Sequence, residues 1–163
     1  MPPILGKAAR GCLNGICKLK KAGTYVFSDQ IGHLLRRAYQ RHLAIFQANT
    51  ADATLTSTQF VTLCAIQDNG PSSQTELTQA TGIDQATIRG IIERLAKREL
   101  VVLQVDSADR RKTIVALTSA GRSVAEGMAP SAQAISELTM QGLNPAERVA
   151  IIFILRKMIE PVP

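Results

Sequence analysis

The spacing of apolar residues changes along the chain, and this change predicts the order of the structural elements. From residue 23 to residue 100, apolar residues recur every three or four positions, which is typical of amphipathic helices. The β-branched runs VVLQV and KTIVALT then flank a charged turn and predict a hairpin. Helical spacing returns up to residue 160. The expected order is two helices, a short helix, a longer helix, a hairpin and two further helices.

The first helix is expected within residues 23–47, with Ser28 as its N-cap and Asp29 near its positive end. An apolar stripe follows if each residue turns the helix by about 100°. The stripe consists of Phe27, Ile31, Leu34, Leu35, Ala38, Ile45 and Phe46. His42 falls in the middle of this stripe, where a histidine is more often a core residue than a ligand-binding one.

The next three helices carry clear capping signals. Thr56 with Gln59, and Ser73 with Glu76, have the spacing of capping boxes. Asp84 is a good N-cap for the longer helix that follows. Glycines end the first two of these helices, at Gly70 and Gly82. The buried stripe of the longer helix is expected to consist of Ile88, Ile91, Ile92 and Leu95.

Two helices are expected after the hairpin. Thr118 is the expected cap of a long helix that Pro130 and Gly142 should interrupt. Asn144 and Pro145 then start a last helix, because Pro is favoured at the first helical position. Its run VAIIFILRKMI is hydrophobic nearly all round, as expected for a helix buried between subunits.

A short helix, a tight turn and a second helix with a polar outer face form a helix-turn-helix, and a hairpin directly after it forms a wing. The fold class is therefore mainly α with a small β wing. Residues 53–118 are expected to form the winged helix-turn-helix, and residues 23–50 and 119–160 the dimerisation helices. Together they make one domain, 23–163, after a basic N-terminal extension, 1–22.

Charge is concentrated in that extension. The net charge of the chain is +6, of which +5 comes from residues 1–22, where five cations occur without an acid. The cations of the folded part must therefore be judged by position rather than by their sum. No apolar run approaches the ~20 residues that span a membrane, and no secretory signal is recognisable. These observations predict a cytoplasmic protein without a membrane partner.

Cysteine and histidine usage favours neither a disulfide framework nor a metal site. The three cysteines are an odd number, which suits a reducing compartment. Cys64 lies in an apolar run, while Cys12 and Cys17 lie in the basic extension without histidines at ligand spacing. The chain has none of the common nucleophile, phosphate-loop, dinucleotide or zinc-protease motifs. We therefore expect neither an enzyme nor a cofactor.

The segment from Thr75 to Arg122 resembles the winged helix of the MarR (multiple antibiotic resistance regulator) family. The resemblance depends on four motifs: Thr81-Gly82, Arg94-Leu95, Asp109-Arg110-Arg111 and Leu117-Thr118-x-x-Gly121. Glu99 stands where the family usually has Gly, and Leu103 where Arg is common. The resemblance implies a homodimer that binds pseudo-palindromic DNA, usually as a repressor, and that releases it on binding small phenolic or carboxylated compounds.

Candidate DNA-binding residues follow from the helix stripe and the wing. Once the apolar stripe faces the core, Gln85, Thr87 and Arg89 remain on the outer face near the helix tip, where base edges are read. Arg94 is ambiguous, since an acidic side chain can pair with it. In the wing, Arg110 and Arg111 are expected at DNA, and Asp109 is expected to brace one of them by a bidentate pair. The alternative is an ordinary charged hairpin tip.

The resemblance implies an effector pocket beside the first helix, which makes that helix the candidate effector site. His33, Arg36, Tyr39 and His42 supply a cation, imidazoles and a phenol among apolar positions. An aromatic carboxylate needs such partners in a partly desolvated site. The predicted effector is therefore a small aromatic or heteroaromatic carboxylate, although the same residues also fit a dimer interface.

Two alternatives use the same scaffold. For a thiol-based redox sensor, the resemblance to the peroxide-sensing branch of the family implies a reactive cysteine near the start of the first helix, but that position is held by about Gly32. An interaction protein without DNA binding is disfavoured by the intact set of Gln85, Arg89, Arg110 and Arg111. The expected partners are double-stranded DNA, a second copy of the chain and an aromatic effector.

Overall fold

The computed structural model describes residues 25–106 and 109–160. The basic extension with Cys12 and Cys17, and residues 107–108 of the wing tip, lie outside this range. A 3-10 turn, Phe27–Asp29, precedes the first helix. The elements are α1 Ile31–Asn49, α2 Ser57–Asn69, β1 Ser72–Ser73, α3 Gln74–Thr81, α4 Gln85–Lys97, β2 Val101–Val105, β3 Thr113–Leu117, α5 Ser119–Thr139 and α6 Pro145–Ile159.

Most helix starts agree with the capping signals in the sequence. Reciprocal capping boxes are formed at α2, α3 and α6, by Thr56 with Gln59, Ser73 with Glu76, and Asn144 with Glu147. The side chains of Asp84 and Thr118 cap α4 and α5 by accepting hydrogen bonds from backbone amides. Each cap satisfies amide groups that have no partner inside the helix, and this fixes where the helix begins.

Two expected boundaries were wrong. Ser28 does not cap α1: it lies inside the 3-10 turn, and α1 begins after Gln30. The Gln30 side-chain amide donates to the carbonyl of Val26 at 3.2 Å, which stabilises that extra turn. Pro130 does not interrupt α5, because the helix is continuous from Ser119 to Thr139. The proline lies on the exposed side, while the opposite face is packed into the core.

The sheet has three antiparallel strands in the order β1-β3-β2. In the predicted hairpin, Val101 pairs with Leu117 and Val105 with Thr113. The short strand β1 was not predicted, and it pairs Ser72 with Val115. This pairing connects the start of α3 to the base of the wing.

One core lies inside the winged helix and continues to α1 and α5. Ile88, Ile91, Ile92 and Leu95 of α4 are all buried, as predicted from their spacing. The core also contains Phe46 of α1, and Met128 and Ile135 of α5. The recognition helix α4 is thus held by its apolar side, and its other side is left for solvent or DNA.

The outer helices expose their apolar residues. In α6 no residue is buried, and Phe153 and Ile159 are 65% and 80% exposed. In α1 only Phe46 of the predicted stripe is buried. Soluble monomers rarely expose large contiguous apolar patches. The apolar faces of α1 and α6 therefore indicate an interaction surface. No helix in residues 25–106 and 109–160 has the length and hydropathy to cross a lipid bilayer.

Candidate nucleic-acid interface and effector site

The turn between α3 and α4 is built by a glycine and a threonine. Gly82 has a φ of 68°, a left-handed conformation that glycine adopts without steric cost. The Thr81 hydroxyl donates to the carbonyl of Leu77 at 2.6 Å and accepts from the Ile83 amide at 3.3 Å. These contacts fix the direction in which the chain enters α4, and they explain the Thr81-Gly82 motif.

The exposed tip of α4 carries Gln85, Thr87 and Arg89, as predicted. The backbone amide of Thr87 donates to Oδ1 of Asp84 at 3.0 Å, so Thr87 takes part in the N-terminal cap of α4. Hydrogen bonds from the side chain and the amide of Thr87 hold the pKa of the Asp84 carboxyl below its usual range. The cap therefore stays ionised, as suits the positive end of a helix.

Arg89 has an acidic partner that the sequence analysis did not identify. Its Nε donates to Oε1 of Glu93 at 3.2 Å, one turn further along α4. The i, i+4 spacing was a visible signal for this pair. Both side chains are well exposed, at 72% and 60%, so the pair is weak and easily exchanged for another partner.

Arg94 extends back along α4 and does not pair with an acid in the described part of the chain. A Cβ atom added to Gly90 would lie 3.4 Å from Nη1 of Arg94. The absence of a side chain at Gly90 thus leaves space for the guanidinium. Arg94 remains exposed and charged on the helix surface.

In the wing, Asp109 braces Arg111 rather than Arg110. The carboxylate Oδ1 accepts from the Arg111 amide at 3.0 Å and from its Nε at 3.4 Å. The expected bidentate pair is wrong in detail, because the guanidinium contributes one nitrogen only. The Arg111 side chain is 93% exposed, and Arg110 is also exposed. Both cations therefore project from the wing.

The four candidate effector residues form one ridge on α1, which we call the polar ridge (His33, Arg36, Tyr39 and His42). Side chains three positions apart are neighbours on a helix, and the ridge turns gradually around the axis. It spans about 14 Å from His33 to His42. One small aromatic ligand cannot contact both ends of the ridge.

The two ends of the polar ridge have different surroundings within one chain. His33 packs on the ring of Phe27, with centroids 4.3 Å apart, and lines a shallow groove of about 460 Å³ that also contains Arg36. Tyr39 and His42 have nearly parallel rings with centroids 6.4 Å apart. The structure therefore brings the four residues together as two pairs and not as one closed pocket.

His42 has a partner 97 residues away that no local signal in the sequence identifies. Its Nδ1 lies 3.0 Å from Oγ1 of Thr139, at the end of α5. The Thr139 hydroxyl donates its hydrogen to the carbonyl of Ile135 at 2.8 Å. With that hydrogen used, Oγ1 can accept from Nδ1–H of His42, and in this tautomer Nε2 is an acceptor.

Cys64 is the free cysteine in the described residues, and it is half-buried in α2. Burial, with a smaller effect from Asp68, raises the pKa of its thiol. A raised pKa reduces the thiolate fraction that oxidation requires. Over the ranges 25–106 and 109–160, His, Cys, Asp and Glu do not form a group of three or more that could hold a metal ion.

The chain is similar to known transcriptional regulators. The family model described as MarR family matches residues 53–112. The HTH-type transcriptional repressor NicR of Pseudomonas putida is 61% identical over 83% of this chain and 86% of its own length. BpsR of Bordetella bronchiseptica, whose DNA binding is regulated by 6-hydroxynicotinic acid, is 55% identical. Its structure matches with a TM-score of 0.77 over 83% of this chain and 98% of that one.

A second solved structure is also similar. A probable transcriptional regulator from Pseudomonas aeruginosa is 34% identical, with a TM-score of 0.76 over 82% of this chain and 99% of that chain. These matches extend beyond the winged helix into the outer helices.

Proposed function

We infer that this chain, which belongs to the MarR family and is a transcriptional repressor of MarR type rather than an enzyme, binds a palindromic operator as a homodimer. We propose that it releases the operator when it binds a hydroxylated heteroaromatic carboxylate. The observation that carries the DNA-binding part is the outer face of α4. Gln85, Thr87 and Arg89 are exposed there, opposite the buried stripe, and the wing presents Arg110 and Arg111.

The two groups have different expected roles. Residues near the tip of a recognition helix read base edges, where Gln favours adenine and Arg favours guanine. Wing arginines are suited to phosphates and to the minor groove, whose negative potential attracts them. Arg94 and Asp109 support the interface, the first as an exposed cation and the second by holding Arg111.

The homodimer is supported by the exposed apolar faces of α1 and α6. Burial of apolar area stabilises association by roughly 25 cal/mol per Å² before the costs of ordering are subtracted. Two-fold symmetry then places two copies of α4 about one helical turn of DNA apart. In sedimentation experiments we expect a dimer at micromolar concentration, and a folded, soluble monomer would contradict this.

The effector proposal is supported by the chemistry of the polar ridge and by BpsR, the 55% identical relative that responds to 6-hydroxynicotinic acid. Arg36 offers a cation for a carboxylate. In the tautomer whose Nδ1–H donates to Thr139, Nε2 of His42 can accept a hydrogen bond from the ligand. A hydroxylated pyridine carboxylate has a carboxylate that can pair with Arg36. It also has an O–H or ring N–H that can donate to Nε2 of His42. Tyr39 lies between Arg36 and His42 in the sequence of α1, and a ligand that contacts both pairs of the polar ridge would lie across its exposed ring.

Calorimetry tests the effector site. We expect 6-hydroxynicotinate to bind the wild-type protein, and Arg36→Ala and His42→Ala each to weaken binding at least tenfold, since each removes a partner of a partly desolvated ligand. His33→Ala is the matched control on the same helix, because its ring packs on Phe27 and we expect a smaller effect. Wild-type affinity in both Arg36→Ala and His42→Ala would contradict this site.

Salt titration tests the DNA interface. The operator is first selected from random-sequence DNA with the purified protein. If Arg110 and Arg111 contact phosphates, each Ala variant should weaken binding to all sequences and reduce the slope of log K against log salt concentration by about 1 per contact. Unchanged slopes in both variants would contradict the wing assignment.

A further inference from the structure

Arg98, the residue that ends the recognition helix, is fixed at two points on the connection between α1 and α2. Its Nη2 donates to Oδ2 of Asp52 at 2.9 Å, and its Nη1 donates to the carbonyl of Thr54 at 3.1 Å. Both side chains of the ion pair are about two-thirds buried. Two parallel donors from a planar guanidinium define direction as well as distance.

The acceptor side of this contact is itself rigidly held. Oδ1 of Asp52 accepts from the amide of Thr54 at 2.8 Å and from its hydroxyl at 2.6 Å. The Thr50 hydroxyl lies 3.1 Å from the carbonyl of Asp52 and 3.6 Å from the sulfur of Met128 in α5. The backbone carbonyl of Asp52 is thus linked through the Thr50 hydroxyl to the end of α1 and to α5, while its carboxylate is held by Thr54.

Among the residues that the structure describes, the rest of α4 has no comparable polar connection to α1 or α5. Its apolar side packs against α2, α3 and β2. Its other side-chain ion pair in the described part of the chain, from Arg89 to Glu93, lies within the helix. Hydrogen bonds weaken steeply when their angles change, so a two-point contact specifies the direction of the helix end in a way that apolar packing, which lacks direction, does not. We call the contact of Arg98 with Asp52 and Thr54 the clamp.

Because the clamp lies at one end of α4, a small rotation there would move the other end of the helix. It holds the C-terminal end of α4, whereas the residues that face DNA lie at the N-terminal end, about 20 Å away along a 13-residue helix. A rotation of about 10° around the clamp would displace that tip by about 3.4 Å, which is the rise of one base pair. In a two-fold dimer the same rotation occurs in both subunits.

We propose that the clamp sets the pose of the recognition helix and thereby makes the dimer selective for the spacing between operator half-sites. Arg98 and Asp52 are positioning residues in this proposal, since they act through α4. The proposal rests on the proposed function, because it requires that the protein binds a two-fold operator. It predicts a loss of spacing selectivity rather than a uniform loss of affinity.

The test compares operator affinities at three half-site spacings: the selected operator, and derivatives with one base pair removed or added between the half-sites. We expect the wild-type protein to bind both derivatives at least tenfold more weakly. We call the ratio of the affinity for the selected operator to that for a derivative the spacing penalty. In Asp52→Asn and Arg98→Gln the spacing penalty should fall below threefold. The double variant should resemble the single ones, because one contact is lost in each case.

Glu137→Gln is the matched control, since Glu137 pairs with Arg148 near the end of α5, away from the winged helix. It should keep the wild-type penalty. Arg98→Lys is a milder variant that keeps the charge but loses the second donor, and it replaces Arg98→Gln if that protein does not fold. For Arg98→Lys we expect a spacing penalty between that of the wild-type protein and that of Arg98→Gln.

Three outcomes distinguish the possible failures. If the clamp variants lose affinity equally at all spacings, the pair is merely structural and the proposal is wrong. If they keep both the affinity and the penalty of the wild-type protein, it is also wrong. If the wild-type protein selects no two-fold operator, the proposed function fails first and the clamp proposal falls with it.

Discussion

The backbone of Gly121 lies so close to Leu100 that a Cβ atom added to the glycine would be 1.9 Å from the Leu100 carbonyl oxygen. Gly121 is in the first turn of α5, and Leu100 directly precedes the wing strand β2. The same Leu100 oxygen accepts from the amide of Thr118 at 3.1 Å, and the Thr118 hydroxyl donates to the carbonyl of Glu99 at 2.7 Å. The long helix and the start of the wing are therefore joined backbone to backbone.

Gly121→Ala should destabilise the protein by about 3 kcal/mol, because the new methyl group must displace backbone rather than a side chain. Gly127→Ala is the control in the same helix, where a Cβ atom meets no other atom within 4 Å. That variant should gain up to about 1 kcal/mol from helix propensity. Urea unfolding of both variants checks the prediction, and equal stabilities would contradict it.

Glu99 adopts a left-handed conformation, with φ at 57°. It stands where the MarR family usually has Gly, and the wing turn forms nevertheless. Left-handed backbone costs a non-glycine residue about 1–2 kcal/mol, and part of this is offset because Gly has more freedom in the unfolded chain. Glu99→Gly should therefore raise the free energy of unfolding by about 0.5–1 kcal/mol.

Glu99→Ala separates this backbone effect from loss of the charge. It retains a Cβ atom and the left-handed strain, so chemical denaturation should show no comparable gain in stability. If Ala stabilises as much as Gly does, the backbone explanation is wrong.

The helix starts and the stripe of α4 were predictable because their causes are local. A capping box such as Ser73 with Glu76 uses residues three apart, and the buried stripe uses a fixed period. The α1 boundary failed because the turn at Phe27–Asp29 depends on the reach of the Gln30 side chain. The strand β1 has two residues, too few for any period, and exists through its pairing with β3.

The candidate sites were predictable to different degrees. The residues of the exposed tip of α4 follow from the stripe, since what is not buried faces outward. Two contacts do not follow from any such pattern: the effector candidate His42 contacts Thr139, and Arg98 of the clamp contacts Asp52, both across long separations in sequence. Such pairs arise from tertiary packing, which no local pattern encodes.

The pair of Arg89 and Glu93 predicts opposite effects of two substitutions on operator binding. Arg89→Ala should cost about 1–3 kcal/mol and relax the preference at one base pair, if Arg89 reads a base edge. Glu93→Gln frees the guanidinium and should leave binding equal or up to about twofold tighter, because an exposed i, i+4 pair is worth about 0.3–0.5 kcal/mol. Fluorescence anisotropy with operators changed at single positions measures both effects.

Arg156→Ala is a suitable comparison, because it removes a cation from the last turn of α6, outside the winged helix. It should leave the base preference unchanged. An Arg89→Ala protein that keeps both its affinity and its base preference would show that Arg89 does not read DNA.

Asp52 should make stability depend on pH. Hydrogen bonds from the Thr54 hydroxyl, and more weakly from Arg98, lower the pKa of its carboxyl, although burial opposes them. A lowered pKa in the folded state stabilises the protein above the unfolded-state value of about 3.9, and this stabilisation is lost as the pH falls through the folded-state value. Asp52→Asn should thus be less stable than the wild-type protein at pH 7, by about 1–2 kcal/mol.

The same difference should shrink below about pH 4, because the unfolded wild-type chain takes up a proton there while the folded carboxyl, with its lowered pKa, is still ionised. Asp84 and Glu76, whose pKa values are lowered as well, are present in both proteins and cancel in the comparison. Urea unfolding at several pH values measures the difference. A gap that stays constant from pH 7 to pH 3 would contradict an ionised, stabilising Asp52.

The most direct measurement of the central claim is the affinity of the wild-type protein for its selected operator, by fluorescence anisotropy, with and without 6-hydroxynicotinate. An effector that binds the DNA-incompetent form about a hundredfold better shifts the equilibrium by about 2.7 kcal/mol. We therefore expect tight operator binding without the ligand and about hundredfold weaker binding at saturating ligand. Benzoate, which lacks the hydroxyl donor, should act more weakly. Operator affinity that does not change with 6-hydroxynicotinate, for a ligand shown by calorimetry to be bound, would contradict the account.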